Sequence, residues 1–233
     1  MKSSTPVRDL TAAARAGLSG NWGKSIGVLA VYLILLTGVS LIHFAGPLLQ
    51  LIFSAPLVVG MTMYFLATVR NQSNPFSLLF AGFDRFGTSL CTYLLIVLIC
   101  LAWTFPFIAL AIPIFIFLKS SSMLTLILLG AVLILSATLL MLILQMRYGL
   151  ALYAVADDPS IRARQAVRRS VELMRGNYWR LGLLWLRFIG WQLLCLLTLC
   201  IGFIWLAPYF MAATTAFYDD LSKRTGFTVP HVA

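Results

Sequence analysis

Charge is scarce in this chain of 233 residues: 10% are Asp, Glu, Lys or Arg, and 61% are hydrophobic. A soluble domain carries about 25% charged residues because its surface must be solvated, so an ordinary soluble protein is excluded. Histidine is almost missing. His43 and His231 are the two, too far apart to serve a Cys–His or Ser–His relay. The four cysteines, Cys91, Cys100, Cys195 and Cys200, all lie in apolar runs at spacings that suit neither a CxxC redox pair nor a zinc site, and read as small core residues. GxSxG, HExxH, GxGxxG and P-loop patterns are absent as well. No enzyme, cofactor or resident metal is expected. No secretory signal is evident either, because the first apolar run begins near Ile26 and lacks a small-residue cleavage site, so the first span is expected to stay.

What is present in abundance is long uncharged sequence. Residues 25–69, 86–118, 120–146 and 188–218 contain no Asp, Glu, Lys or Arg. A spanning helix needs about 20 residues, so the longer runs have room for two helices. The first divides at His43–Pro47, and Pro106 and Pro113 fall inside a long third span, where neighbouring helices can re-satisfy the freed carbonyls. Lys119–Ser122 is the next turn, and the fourth span runs from Met123 to at least Met146, with Tyr148–Ala156 as an extension.

The last run is ambiguous by length, and an internal repeat resolves it. LSGNWGK at 18–24 and MRGNYWR at 174–180 share Gly, Asn, an aromatic residue and then a base three residues after the Asn. Beyond the first lies Pro56, with Gly60, Thr62 and Phe65 at four, six and nine residues; beyond the second lies Pro208, with Ala212, Thr214 and Phe217 at the same offsets. The final run therefore splits around Cys200–Gly202. The expectation is a single all-α integral membrane domain over 1–233, with six transmembrane helices in three pseudo-repeated hairpins at about 21–70, 86–156 and 177–220. Gly20, Asn21 and Trp22, and again Gly176, Asn177 and Trp179, form elbows: the Gly ends one helix, the Asn caps the next, and the Trp anchors at the interface.

Loop charge sets the orientation. With both termini cytoplasmic, the basic segments 2–24, 70–85, 162–180 and 223–224 all lie inside, and Lys119 is the lone base outside. Each hairpin follows an amphipathic segment, at about 6–19, 75–81 and 159–175. In the last, Asp158 and Pro159 read as the cap and first turn, and Arg162, Arg164, Arg168, Arg169 and Arg175 share one face opposite Ala166, Val167, Leu173 and Met174. Five Arg against Glu172 on such a helix point to anionic headgroups in the inner leaflet. The same inward bias accounts for the net charge of +10, and nucleic acid is not an expected partner.

Arg147 and Arg187 fall about ten residues, roughly 15 Å, inside their spans. One reading is a site for a phosphate or carboxylate, with Tyr148 and Trp191 beside it; the simpler one is snorkelling to the interface. Asp157–Asp158 and Asp219–Asp220 could hold a metal with a pyrophosphate substrate, but neither continues as DDxxD, and helix capping and helix termination account for them more simply.

Several stretches taken together resemble the bacterial membrane proteins grouped as domain of unknown function 975: Leu18–Lys24, Ala156–Pro159, Ser170–Asn177, Phe188–Trp191, Leu197-Thr198, Ile201-Gly202, Pro208-Tyr209 and Phe217-Tyr218. Arg187 stands where that pattern has Ser, and Pro113-Ile114 where it has Pro-Gly. The resemblance implies a multi-pass inner-membrane protein without an established activity. Expected functions are, first, organising lipid or partner proteins at the cytoplasmic leaflet; second, passing a small anionic solute or lipid; and, distantly, modifying lipid.

Overall fold

The computed structural model describes residues 6–42, 46–117, 123–198 and 200–226. The expected turns at 43–45 and 119–122, Thr5 and the tail with His231 lie outside the described residues. Those residues form α1 Val7–Leu18, α2 Trp22–Ser40, α3 Gly46–Val69, two 3-10 turns at Phe76–Leu79 and Ala81–Arg85, α4 Phe86–Phe117, α5 Met123–Tyr148, α6 Ala151–Asp157, α7 Ala163–Met174, α8 Tyr178–Leu197 and α9 Phe203–Arg224. No strand occurs among them. Among the described residues five helices, those containing α2, α3, α4, α5 and α8, are long and apolar enough to cross a membrane. The last apolar run does break, between Leu197 and Phe203.

Burial is unequal. Helix α3 is buried almost continuously from Ser54 to Thr68, and α9 from Ala212 to Ser222, with Tyr64, Phe65, Phe217 and Tyr218 fully enclosed. By contrast α2, α4, α5 and α8 expose Leu, Ile and Trp along their lengths, as helices solvated by hydrocarbon can. At Gly149, whose Cβ would come within 2.5 Å of the Gln145 carbonyl oxygen, the exposed α5 gives way to α6, which is buried from Ala151 to Ala156.

The segments before the hairpins depart from the expected interfacial helices. The one near 75–81 is a pair of 3-10 turns pressed on α3, so closely that a Cβ on Gly60 would overlap the Leu79 carbonyl and one on Gly82 the Pro56 carbonyl. Helix α1 buries Leu10, Ala14 and Leu18, mainly against α9. Gly17 abuts Thr68 at the end of α3, while Thr11 and Arg15 reach Tyr209. Tyr209 lies ten residues before Asp219 along α9, about 15 Å, so α1 leans along the bundle instead of lying only across its charged end.

Helix α7 starts later than its sequence suggests. Asp158 accepts hydrogen bonds from the Ser160 N–H (2.9 Å) and hydroxyl (2.7 Å), forming a turn. The helix begins at Ala163, where the Gln165 side chain takes the Arg162 N–H at 3.0 Å, half of a capping box. Ile161 precedes α7 and is buried.

At the two elbows the backbone agrees closely: Gly20 and Gly176 both have φ +80°, and Asn21 and Asn177 have φ −118° and −114°. Neither Asn side chain caps the helix that follows. Asn177 Nδ2 donates backwards, to the Leu173 carbonyl at 3.0 Å, because the left-handed glycine turns the amide toward the preceding carbonyls.

Candidate functional site

Three helix ends meet in a buried ionic junction. The first charge after the uncharged run of α3 is Arg70; its Nη1 reaches Asp157 Oδ1 at 2.7 Å and its Nε reaches Asp219 Oδ1 at 2.8 Å. Asp157 ends α6 with its side chain 2% exposed, and its other oxygen accepts from the Tyr218 hydroxyl at 3.2 Å and the Ser222 hydroxyl at 3.3 Å. Lys223 closes on Asp219 at 2.6 Å, one turn along α9. Burial works against the Arg70 charge, but the hydrogen bonds to Asp157 and Asp219 more than reverse that, so its pKa lies above the usual arginine value.

This junction reassigns residues whose roles the sequence left open. Asp157 and Asp158 are engaged by Arg70, Arg169 and Ser160, while Asp219 and Asp220 are engaged by Arg70, Lys223, Arg180 and Arg224. Among the described residues no group of three or more His, Cys, Asp or Glu could hold a metal ion. The aspartate pairs thus form ion pairs between elements. Sequence reasoning does not single out Arg70, because it looks like one more loop base. Its position, directly after an uncharged run that ends beside acids closing two other runs, is the available signal.

Arg169 is the clearest correction. Expected on the headgroup face, it is 6% exposed and faces Asp157 at 3.8 Å and Asp158 at 3.7 Å. Burying a guanidinium requires such counter-charges, and α7 supplies the cation that two acids at the end of α6 need. Arg162, Arg164, Arg168 and Arg175 do remain exposed, with Arg168 loosely paired to Glu172 at 3.3 Å. The opposite face, Ala166, Val167, Ser170, Leu173 and Met174, is buried against α4, α5 and α6. It is not free to enter a bilayer. The Ser170 hydroxyl also donates to the Arg147 carbonyl at 2.8 Å, tying α7 to the last turn of α5.

Arg147 and Arg187 are both exposed. Arg147 lies over the Tyr148 ring at 5.7 Å. Tyr148 itself faces a cavity of about 390 Å³ among α3, α4, α5, α6, α8 and α9, whose lining includes Gln145, Tyr153 and Trp185 and, among the described residues, no charged one. Trp191 lines a different groove, with Arg15. The four residues therefore do not form one site. At the elbows Trp179 is 78% exposed, while Trp22 is half-buried against the core.

The family model described as "Protein of unknown function (DUF975)" matches residues 1–225. No curated protein and no solved structure matches the chain.

Proposed function

The chain belongs to that family, and we propose that it is a non-enzymatic polytopic membrane protein whose cytoplasmic face organises anionic lipid. The observation that carries this reading is a set of exposed arginines, Arg164 and Arg168 on α7 and Arg162 and Arg175 flanking its two ends, on a helix fixed by its buried face and by Arg169. An anchored helix presents its charges at fixed spacing, and each basic side chain near an anionic surface contributes about 1 kcal/mol of attraction. Because the apolar face is already occupied, attraction here is electrostatic and weakens with salt. The proposed setting is a bacterial inner membrane, with six membrane-embedded helices, α2–α3, α4–α5 and α8–α9, paired as repeated hairpins and both termini cytoplasmic. The distribution of Lys and Arg supports that orientation.

The test uses the full chain in phosphatidylcholine nanodiscs and measures capture of phosphatidylglycerol vesicles. Reversing Arg162, Arg164, Arg168 and Arg175 to Glu should abolish capture, and raising salt should weaken it in the unaltered protein. Undiminished capture by the reversed protein would remove the lipid role. A path for an anionic solute has less support, since Arg147 and Arg187 line neither the neutral cavity nor the groove. A lipid-modifying enzyme would need aspartates that the ionic junction already employs.

A further inference from the structure

A second basic feature lies away from α7. Between α1, the start of α2, α8 and α9 runs an open groove of about 380 Å³, lined by Trp22, Trp191, Cys195, Trp205 and Tyr209, among others, with Arg15 as its one charged side chain among the described residues. Arg15 is exposed, rests over the Tyr209 ring at 5.8 Å and has no acid paired with it among the described residues. Its partner is therefore a π-face, which leaves the cationic edge available to an anion.

The groove has polarity along its length. Its far end is the α8–α9 turn, where Thr198, Cys200, Ile201 and Gly202 carry no charge. Among the described residues of the turn, Cys200 N–H donates to the Cys195 carbonyl at 3.0 Å, Ile201 N–H to Thr198 at 3.2 Å and Phe203 N–H to Cys200 at 3.1 Å, while the Thr198 hydroxyl donates to Cys195 at 3.0 Å. Such internal bonding suits a turn to hydrocarbon, where unsatisfied backbone costs several kcal/mol. The groove thus joins one cation to an uncharged end, which is the charge pattern of an anionic amphiphile in mirror image.

We propose that this groove binds one anionic phospholipid, its phosphate on Arg15 and an acyl chain along Trp191 and Cys195 toward the α8–α9 turn. Water does not fill an apolar groove opening into a bilayer, and the volume lies within the range of small-molecule sites. The α7 face attracts a leaflet as a whole, whereas this groove holds a single molecule, so the two roles separate by experiment.

Native mass spectrometry of the full chain, loaded with phosphatidylglycerol or phosphatidylcholine in mild detergent, provides the test. The unaltered protein should retain one phosphatidylglycerol in preference to phosphatidylcholine. Arg15→Gln should lower that retention about fivefold, the worth of one interfacial charge, and Arg15→Lys should keep most of it. Leu194→Trp, at a groove position 56% exposed and hence tolerant of a larger side chain, should fill the channel and expel both lipids. Reversing the α7 arginines should leave retention unchanged. Equal retention of the two lipids, retention unaffected by both Arg15→Gln and Leu194→Trp, or loss only on α7 reversal would overturn the proposal. Melting temperatures of the variants report that the fold is intact.

Discussion

Arg70 and Asp157, 87 positions apart, meet at 2.7 Å where α3 and α6 end, with the aspartate almost sealed from solvent. Removing one member of such a pair leaves an uncompensated buried charge. Asp157→Ala should therefore destabilise the protein by about 3–5 kcal/mol. Asp158→Ala, at a side chain 22% exposed, should cost about 1 kcal/mol or less. Thermal unfolding in mild detergent distinguishes the two. Combining Arg70→Gln with Asp157→Asn should cost less than the sum of the single changes, because the pair is removed together.

Close backbone approach predicts a second contrast. A Cβ at Gly60 or Gly82 would overlap a carbonyl of the facing segment, whereas one at Gly23 meets nothing within 4 Å. Gly60→Ala and Gly82→Ala should each force the 3-10 turns away from α3 and cost several kcal/mol, on the order of other overpacked sites. Gly23→Ala should be neutral or stabilise by up to about 1 kcal/mol through helix propensity. Yield of folded protein and melting temperature are the readouts.

The elbows offer a matched pair. Gly20 and Gly176 share φ +80°, and a methyl added at Gly20 would meet nothing within 4 Å, so the penalty for Ala there is conformational. Gly20→Ala and Gly176→Ala should each cost about 1 kcal/mol, and Asn at either position less, since Asn tolerates the left-handed region. Similar shifts in melting temperature are expected; a large loss at one elbow alone would show that the two turns carry different loads.

Cys200, exposed at the α8–α9 turn, is a natural probe of depth. If the turn stays in hydrocarbon, a charged maleimide added outside intact cells should not label it, and denaturation should expose it; Cys91→Ala and Cys100→Ala remove competing signal. Labelling from outside would show an aqueous outer loop. A reporter fused after Ala233 should in either case be cytoplasmic, and an external one would leave α9 without a return path.

Membrane class, helix content and the break of the last apolar run were legible in the sequence, because each depends on local properties: uncharged length, helical period and Gly-Asn punctuation. Positive φ at both elbow glycines was likewise foreseeable, since the residue type needed there is nearly unique. Partnerships were not. The outward face of Arg162, Arg164, Arg168 and Arg175 followed from periodicity, yet the same periodicity placed Arg169 with them. Periodicity reports which side of a helix a residue occupies, and what lies on that side depends on the ends of other helices. Only the tertiary structure brought Asp157 and Asp158 to Arg169, Arg70 to two distant acids, and Trp191 to Arg15 in place of Arg147. A buried charge takes the counter-charge that folding puts within a few ångströms, and for Arg70 those counter-charges lie 87 and 149 positions away in sequence.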